Sequence, residues 1–347
     1  MNALRCLCLL GLAWLVSLPL AQAKGASSPL FESDAALEVS LQAPWGAIAR
    51  KTAGRKHPAV LSYTGADGRA VRIEATLEVR GLTRLRHCAF PPLRIRFEPA
   101  AVAGTLFAGE RSLKMVTHCK KGGIYRQYTV LELLAYRIYQ RITPASFRVR
   151  PLEVRYAEPG DAEAGEARLA FLIEDLKDVA RRNGAKRDKD VNFTPGDFDS
   201  LAMNRLMLFQ YLIGNTDFAV LSGPRDDQCC HNARVIGNGD PLRRIAVPYD
   251  FDSAGLVDAV YAAPHEDLPI RKVSERLYRG FCAHNGTLAV ARQEFLDQRE
   301  AILALIAEEP RLDAQRRRAA QRFVEDFYAT LASDWSFARD ISGKCRK

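Results

Sequence analysis

The chain has 347 residues, 48% hydrophobic and 26% charged, with 50 Lys and Arg against 41 Asp and Glu and a formal net charge of +9. That hydrophobic fraction excludes a disordered polymer, and the length leaves room for one large domain or two packed lobes. The basic excess reads first as a solvated basic surface and not as a nucleic-acid footprint, because its densest clusters (Arg181, Arg182, Lys186, Arg187 and Lys189, then Arg316 to Arg318) lack interleaved stacking aromatics; attraction to an anionic ligand or anionic envelope surface is an expectation at least as good as nucleic acid.

Residues 1–23 read as a cleavable secretory signal. Arg5 precedes an apolar run over 6–20, and Ala21-Gln-Ala23 gives the small-x-small cleavage pattern, so the mature chain is expected to begin at Lys24 in the periplasm or outside the cell. No later segment is apolar enough to cross a bilayer. Residues 24–175 are expected to form an antiparallel-sheet lobe: apolar and polar residues alternate over 36–41, 71–79, 93–97 and 147–156, and a further apolar strand runs from 168 to 174. One helix interrupts them at 125–142, where Leu131, Leu134, Ala135 and Ile138 recur at helical spacing before Thr143-Pro144. Residues 176–347 read as a mainly helical lobe. Thr194-Pro-Gly-Asp197 caps a helix ending near Ile213, a short strand pair lies at 233–236 and 244–247, and helices are expected at 273–281, 288–308 and 313–333.

Six cysteines follow the signal: Cys88, Cys119, Cys229, Cys230, Cys282 and Cys345. In an oxidising compartment an even number reads as disulfides, with Cys88–Cys119 the preferred pair and Cys229 or Cys230 with Cys282 a second. The alternative gives Cys88, Cys119, Cys229 and Cys230, with the adjacent His87, His118 and His231, to zinc.

The chemistry-bearing segments are Asn215-Thr-Asp217, His231-Asn232 and Tyr249-Asp-Phe-Asp252. An acid after a helix, an amide at the start of a strand and two acids after another strand match the needs of phosphoryl transfer: one carboxylate to orient a hydroxyl, and an Asn with an Asp to hold magnesium on phosphates. Asp250 and Asp252, directly after an apolar strand, are the pair best explained by a bound cation or a shared proton.

These segments resemble the spore-coat CotH family of atypical kinases and, more distantly, HipA-like kinases. The likeness extends upstream to Arg80-Gly81 with Arg84 and Arg86, to Pro92-Leu-Arg-Ile-Arg-Phe97 and to Ser112-Leu-Lys-Met-Val116, covering roughly residues 75–285. The resemblance implies an α+β, two-lobed protein-kinase-like fold with a mainly helical C-terminal lobe. It makes Asp217 the catalytic acid, Asn232 and Asp250 metal ligands, and Asp252 a second-metal or hydroxyl-orienting group. Lys114 would be the nucleotide lysine paired with Glu132, Arg80 would join the nucleotide-binding set, and residues 172–175, including Glu174, would be the hinge facing adenine. The implied cofactors are Mg2+ and ATP, with an envelope protein or small molecule as phosphoacceptor. Two non-enzymatic readings stand beside this one: a binding protein that holds a cation or anion in the same cleft, and a disulfide-stabilised envelope assembly factor.

Overall fold

The computed structural model describes residues 28–347 except 82, 162–164, 191, 224–228 and 241; the expected signal and its cleavage point lie outside the described residues. Seven strands, β1 (Leu37–Gln42), β2 (Lys56–Thr64), β3 (Ala70–Val79), β4 (Leu93–Phe97), β5 (Ser112–Val116), β6 (Val149–Ala157) and β7 (Arg168–Ile173), form a closed barrel in the order β1-β2-β3-β4-β5-β7-β6. The neighbours are antiparallel except at the closing joint, where β1 runs parallel to β6 with Leu37 opposite Leu152. This closure corrects the expected two-lobed kinase fold with its open N-terminal sheet. The α+β class stands, but the sheet has no free edge. The reason is β2, which the sequence reading left out. Its inward set His57, Ala59, Leu61 and Tyr63 alternates with exposed and half-buried positions and carries the meander round to β1.

The helices are α1 (Trp45–Ile48), α2 (Thr83–His87), α3 (Pro99–Val102), α4 (Gly123–Ile142), α5 (Leu176–Arg182), α6 (Ser200–Ile213), α7 (Leu288–Asp297), α8 (Arg299–Ala307), α9 (Ala314–Ala332) and α10 (Asp334–Asp340). A small sheet, β10-β9-β8, is made by β8 (Lys186–Arg187), β9 (Ala233–Gly237) and β10 (Ile245–Pro248). Two hydrophobic cores result. One fills the barrel, with Leu41, Leu61, Ile73, Leu77, Ile95, Leu113, Leu152 and Leu172. The other gathers α4, α6, the C-terminal helices and the outward side chains of β7, including Leu169, Phe171 and Ile173. Each fully buried Leu, Ile or Phe contributes roughly 1.5–3 kcal/mol.

Two expected helices change. Residues 273–281 are not helical; the Arg276 guanidinium donates instead to the carbonyls of Tyr211, Leu212 and Phe323, which pins this stretch in irregular form against the end of α6 and the middle of α9. The 288–308 helix divides into α7 and α8 at Gln298. The Thr194–Asp197 turn has its capping box, but it is a separate 3-10 turn, and Asp199 caps α6 by accepting from the Ala202 N–H.

Disulfides join Cys88 to Cys119, with Cα atoms 4.5 Å apart, and Cys282 to Cys345, and Cys229 is bonded to Cys230. The expected link from Cys229 or Cys230 to Cys282 is therefore replaced, and the cysteines assigned to zinc in the alternative are bonded to each other. No described helix is long and apolar enough to cross a membrane.

Candidate functional site

Helix α6 ends at Gly214, whose φ of +64° is left-handed and whose hydrogen lies where a Cβ would meet Phe323 Cζ at 2.9 Å. The chain then turns into Asn215-Thr216-Asp217. The Arg279 guanidinium braces this turn by donating to the carbonyls on both sides of Asp217, Thr216 at 2.5 Å and Phe218 at 2.9 Å. Asn215 Oδ1 accepts from the Asp217 N–H. The Asp217 carboxylate is half-exposed, with His231 Nε2 at 2.7 Å from Oδ1 and the Asn232 amide donating to Oδ2 at 3.1 Å and to the Asp217 carbonyl at 2.8 Å. The hydrogen bond to Asp217 raises the His231 pKa, against a smaller opposing effect of burial.

The other acids arrive from β10. Asp250 and Asn232 both have left-handed backbones, φ +67° and +49°, a conformation that Asp and Asn tolerate better than most residues and that concentrates at functional sites. Helix α4 supports Asp250 from below: the Asp250 N–H donates to Tyr136 Oη at 2.9 Å. One turn earlier, on the same face of α4, Glu132 reaches the same region, 2% exposed. Its partner is Arg84, at 3.9 Å, and not Lys114. Arg84, 8% exposed, also lies 3.9 Å from Asp252 and donates to the Thr117 carbonyl at 2.5 Å. Burial alone would lower the Arg84 pKa; the surrounding Tyr261, Glu132, Asp252 and Asp250 outweigh it and hold it raised. Burial, then the charge of Asp250, pushes the Asp252 carboxyl up to about 6, and burial, then Asp252, raises Glu132. Arg84 Nε and Glu132 Oε1 are buried without a hydrogen bond.

Arg80, Arg84, Asp217, His231, Asn232, Arg234, Tyr249, Asp250 and Asp252 line one cavity of about 260 Å³. Five of the sequence-selected residues thus meet: Asp217, Asn232, Asp250, Asp252 and Arg80, with Glu132 behind them through Arg84. Lys114 and Glu174 do not line it. They belong to an adjoining cavity of about 370 Å³ that shares Arg234, and the Lys114 ammonium sits 3.7 Å from the centre of the Tyr249 ring. Glu174 is engaged by Arg182 at 3.1 Å and by the Arg148 N–H at 3.0 Å, so its carboxylate is already committed where the resemblance implies a hinge. Sequence reasoning gave His231 a role only in the zinc alternative and assigned none to Arg84, Arg234, Tyr136 or Tyr261. His231 and Arg84 stood inside the quoted motifs; the other three carry no local signal.

Among the described residues no group of three His, Cys, Asp or Glu side chains could hold a metal unaided. Two carboxylates and an amide oxygen are nevertheless the hard donors magnesium accepts when phosphates and water complete its shell, and a cation would offset the crowding that raises Asp252. Chemically, the cleft pairs an oriented, half-exposed carboxylate with a cationic wall. No known protein-family model matches the chain, and comparison with curated proteins finds no match.

Proposed function

We propose that the cleft binds a magnesium-complexed nucleotide and transfers a phosphoryl group to a hydroxyl of an envelope protein or small acceptor. The observation that carries this is the meeting of Asp217, Asn232, Asp250 and Asp252 with Arg80, Arg84 and Arg234 in one cavity. Asp217, steered by His231 and Asn232, is placed to take the acceptor's proton. Arg80 and Arg84 offer fixed donors to phosphate oxygens, and Glu132 holds Arg84 in place. Asn232, Asp250 and Asp252 would hold magnesium, which when bound neutralises phosphate charge. The disulfides Cys88–Cys119 and Cys282–Cys345 support an oxidising compartment, reached through the signal cleaved after Ala23.

The test is ligand-induced thermal stabilisation by Mg-ATP and by magnesium alone. Wild type should shift with Mg-ATP, Asp250→Asn should not, and Glu132→Gln should shift less. Asn suits the left-handed backbone at 250, so the fold should survive. No shift in wild type, or an equal shift in all three, rejects the reading. A second reading, binding without transfer, is favoured by Lys114 facing the neighbouring cavity; stabilisation by Mg-ATP with no phosphate released or transferred would select it.

A further inference from the structure

The second cavity lies between the barrel and β8–β9. Its walls carry Arg94, Lys114, Lys177, Arg187 and Arg234 against two carboxylates, Glu174 and Asp175. The two acids offset these cations only in part, Asp175 by attracting Arg94. Glu174 is bound by Arg182, which does not line the cavity, and Asp175 caps α5 by accepting the Lys177 N–H at 2.9 Å. Arg94 and Lys114 stand directly opposite each other across β4 and β5, where like charges repel. Arg94 donates to Ser112 Oγ at 3.3 Å, Lys177 to the Gly109 carbonyl at 3.3 Å and Arg234 to the carbonyls of Cys230 and Ala233. These acceptors are neutral, and the acids that attract Arg94 (Glu78 and Asp175) and Lys114 (Asp250) compensate the cluster only in part. The Tyr249 ring serves two cations at once, Lys114 at 3.7 Å and Arg234 at 5.2 Å.

We propose that this second cavity is a binding site for a phosphate monoester dianion, held by Arg94, Lys114 and Arg234 with Arg187 at its rim. Planar guanidinium forks and an ammonium converging on one space suit a tetrahedral oxyanion. A dianion balances the excess better than a carboxylate or sulfate ester with one charge. Burial pushes Lys114 well below its usual pKa, and Arg80, Arg234 and Arg94 lower it further against the attraction of Asp250; an anion in the cavity would oppose this shift. The site needs no metal and stands apart from the magnesium–nucleotide reading, although Arg234 borders both cavities. If that reading holds, the acceptor is itself a phosphorylated molecule.

The experiment is calorimetric titration of the full mature chain in EDTA at low ionic strength with inorganic phosphate, phenyl phosphate and phenyl sulfate. Both phosphates should bind wild type, tighter phenyl phosphate marking an ester and equal affinity a free ion, with phenyl sulfate at least about threefold weaker. Arg94→Gln, Lys114→Met and the exposed Arg187→Gln should each weaken phosphate at least about fivefold, while Asp250→Asn keeps it. Because Arg94→Gln and Lys114→Met remove self-repelling charges, their ligand-free melting temperatures should not fall; should either fail to fold, Arg187→Gln carries the test. Absence of phosphate binding, unchanged affinity in the cavity variants, or equal binding of phenyl sulfate overturns the proposal. Loss in Asp250→Asn would move the anion into the acidic cleft and overturn it as well.

Discussion

Replacing Asp252 by Asn should stabilise the ligand-free protein. Asp252 is 8% exposed, and burial with the charge of Asp250 lifts its pKa from 3.8 to about 6, against attraction from Arg84 and a hydrogen bond from Tyr261 Oη. An acid whose folded pKa exceeds its unfolded one binds more protons when folded, so its effect on stability is most favourable in acid and worsens as pH rises from about 4 through 6. Roughly two pH units at about 1.36 kcal/mol each give a penalty on the order of 3 kcal/mol at about pH 7.5, against about 1 kcal/mol at about pH 4.5. Asn keeps the shape and can still accept from Tyr261, but burying its amide donors takes back on the order of 1 kcal/mol. The net expectation is a gain of about 2 kcal/mol at about pH 7.5 that vanishes near pH 4.5. Urea unfolding of both proteins at the two pH values measures it. A variant less stable at neutral pH, or a gain that ignores pH, would refute the idea that this acid is held at a cost that a cation relieves.

Asp217→Asn should lower the pKa of His231, read by NMR titration of the imidazole, because the carboxylate that raises it is gone. The stability contributed by that pair is present below the unfolded histidine value and is lost as pH rises through the folded one, so the variant should differ most from wild type in mild acid. Replacing Cys282 and Cys345 together by Ser opens a loop spanning 63 residues, for which chain entropy gives a loss of about 4 kcal/mol, and the C-terminal residues should become sensitive to carboxypeptidase. Gly255→Ala should cost about 2–3 kcal/mol in a denaturant titration, since its Cβ would press on the Val273 carbonyl and come within 2.9 Å of Ser274 Cα.

The parts of this molecule legible in the sequence are those governed by local periodicity and by chemistry carried in short motifs. The alternation in β3, β4 and β6, the apolar spacing of α4 and the grouping of Asp217, Asn232, Asp250 and Asp252 around loop ends follow from residue type and spacing. What stayed hidden depends on partners distant in the chain. The barrel closes through β1 and β6, a pairing that nothing in either strand announces. Glu132 chose Arg84 over Lys114 because Arg84, on the short helix α2, points under the cleft, whereas Lys114 is drawn to the Tyr249 ring on its other side. Cys282 lies beside the C-terminal tail because the Arg346 N–H donates to the Gly280 carbonyl and Arg346 accepts from the Cys282 N–H, so Cys345 is its neighbour. Residues 273–281 carry an acceptable helical pattern, overridden by the demand of α6 and α9 carbonyls for the Arg276 guanidinium.

Strand β7 is the last barrel strand in the chain, yet it sits between β5 and β6. A growing polypeptide therefore completes six strands before the keystone that joins them exists, and until then β5 and β6 each present an unpaired edge. β7 is also shared: Ala170 and Leu172 face the barrel core while Leu169, Phe171 and Ile173 face the helical one. Its insertion closes the ring and supplies one wall of the second core, so the helical layer that leads into Asp217 completes its seat on the barrel only with β7 in place. Folding of the two layers is coupled through six residues, and a charge placed at Phe171 or Leu172 should prevent the assembly of both.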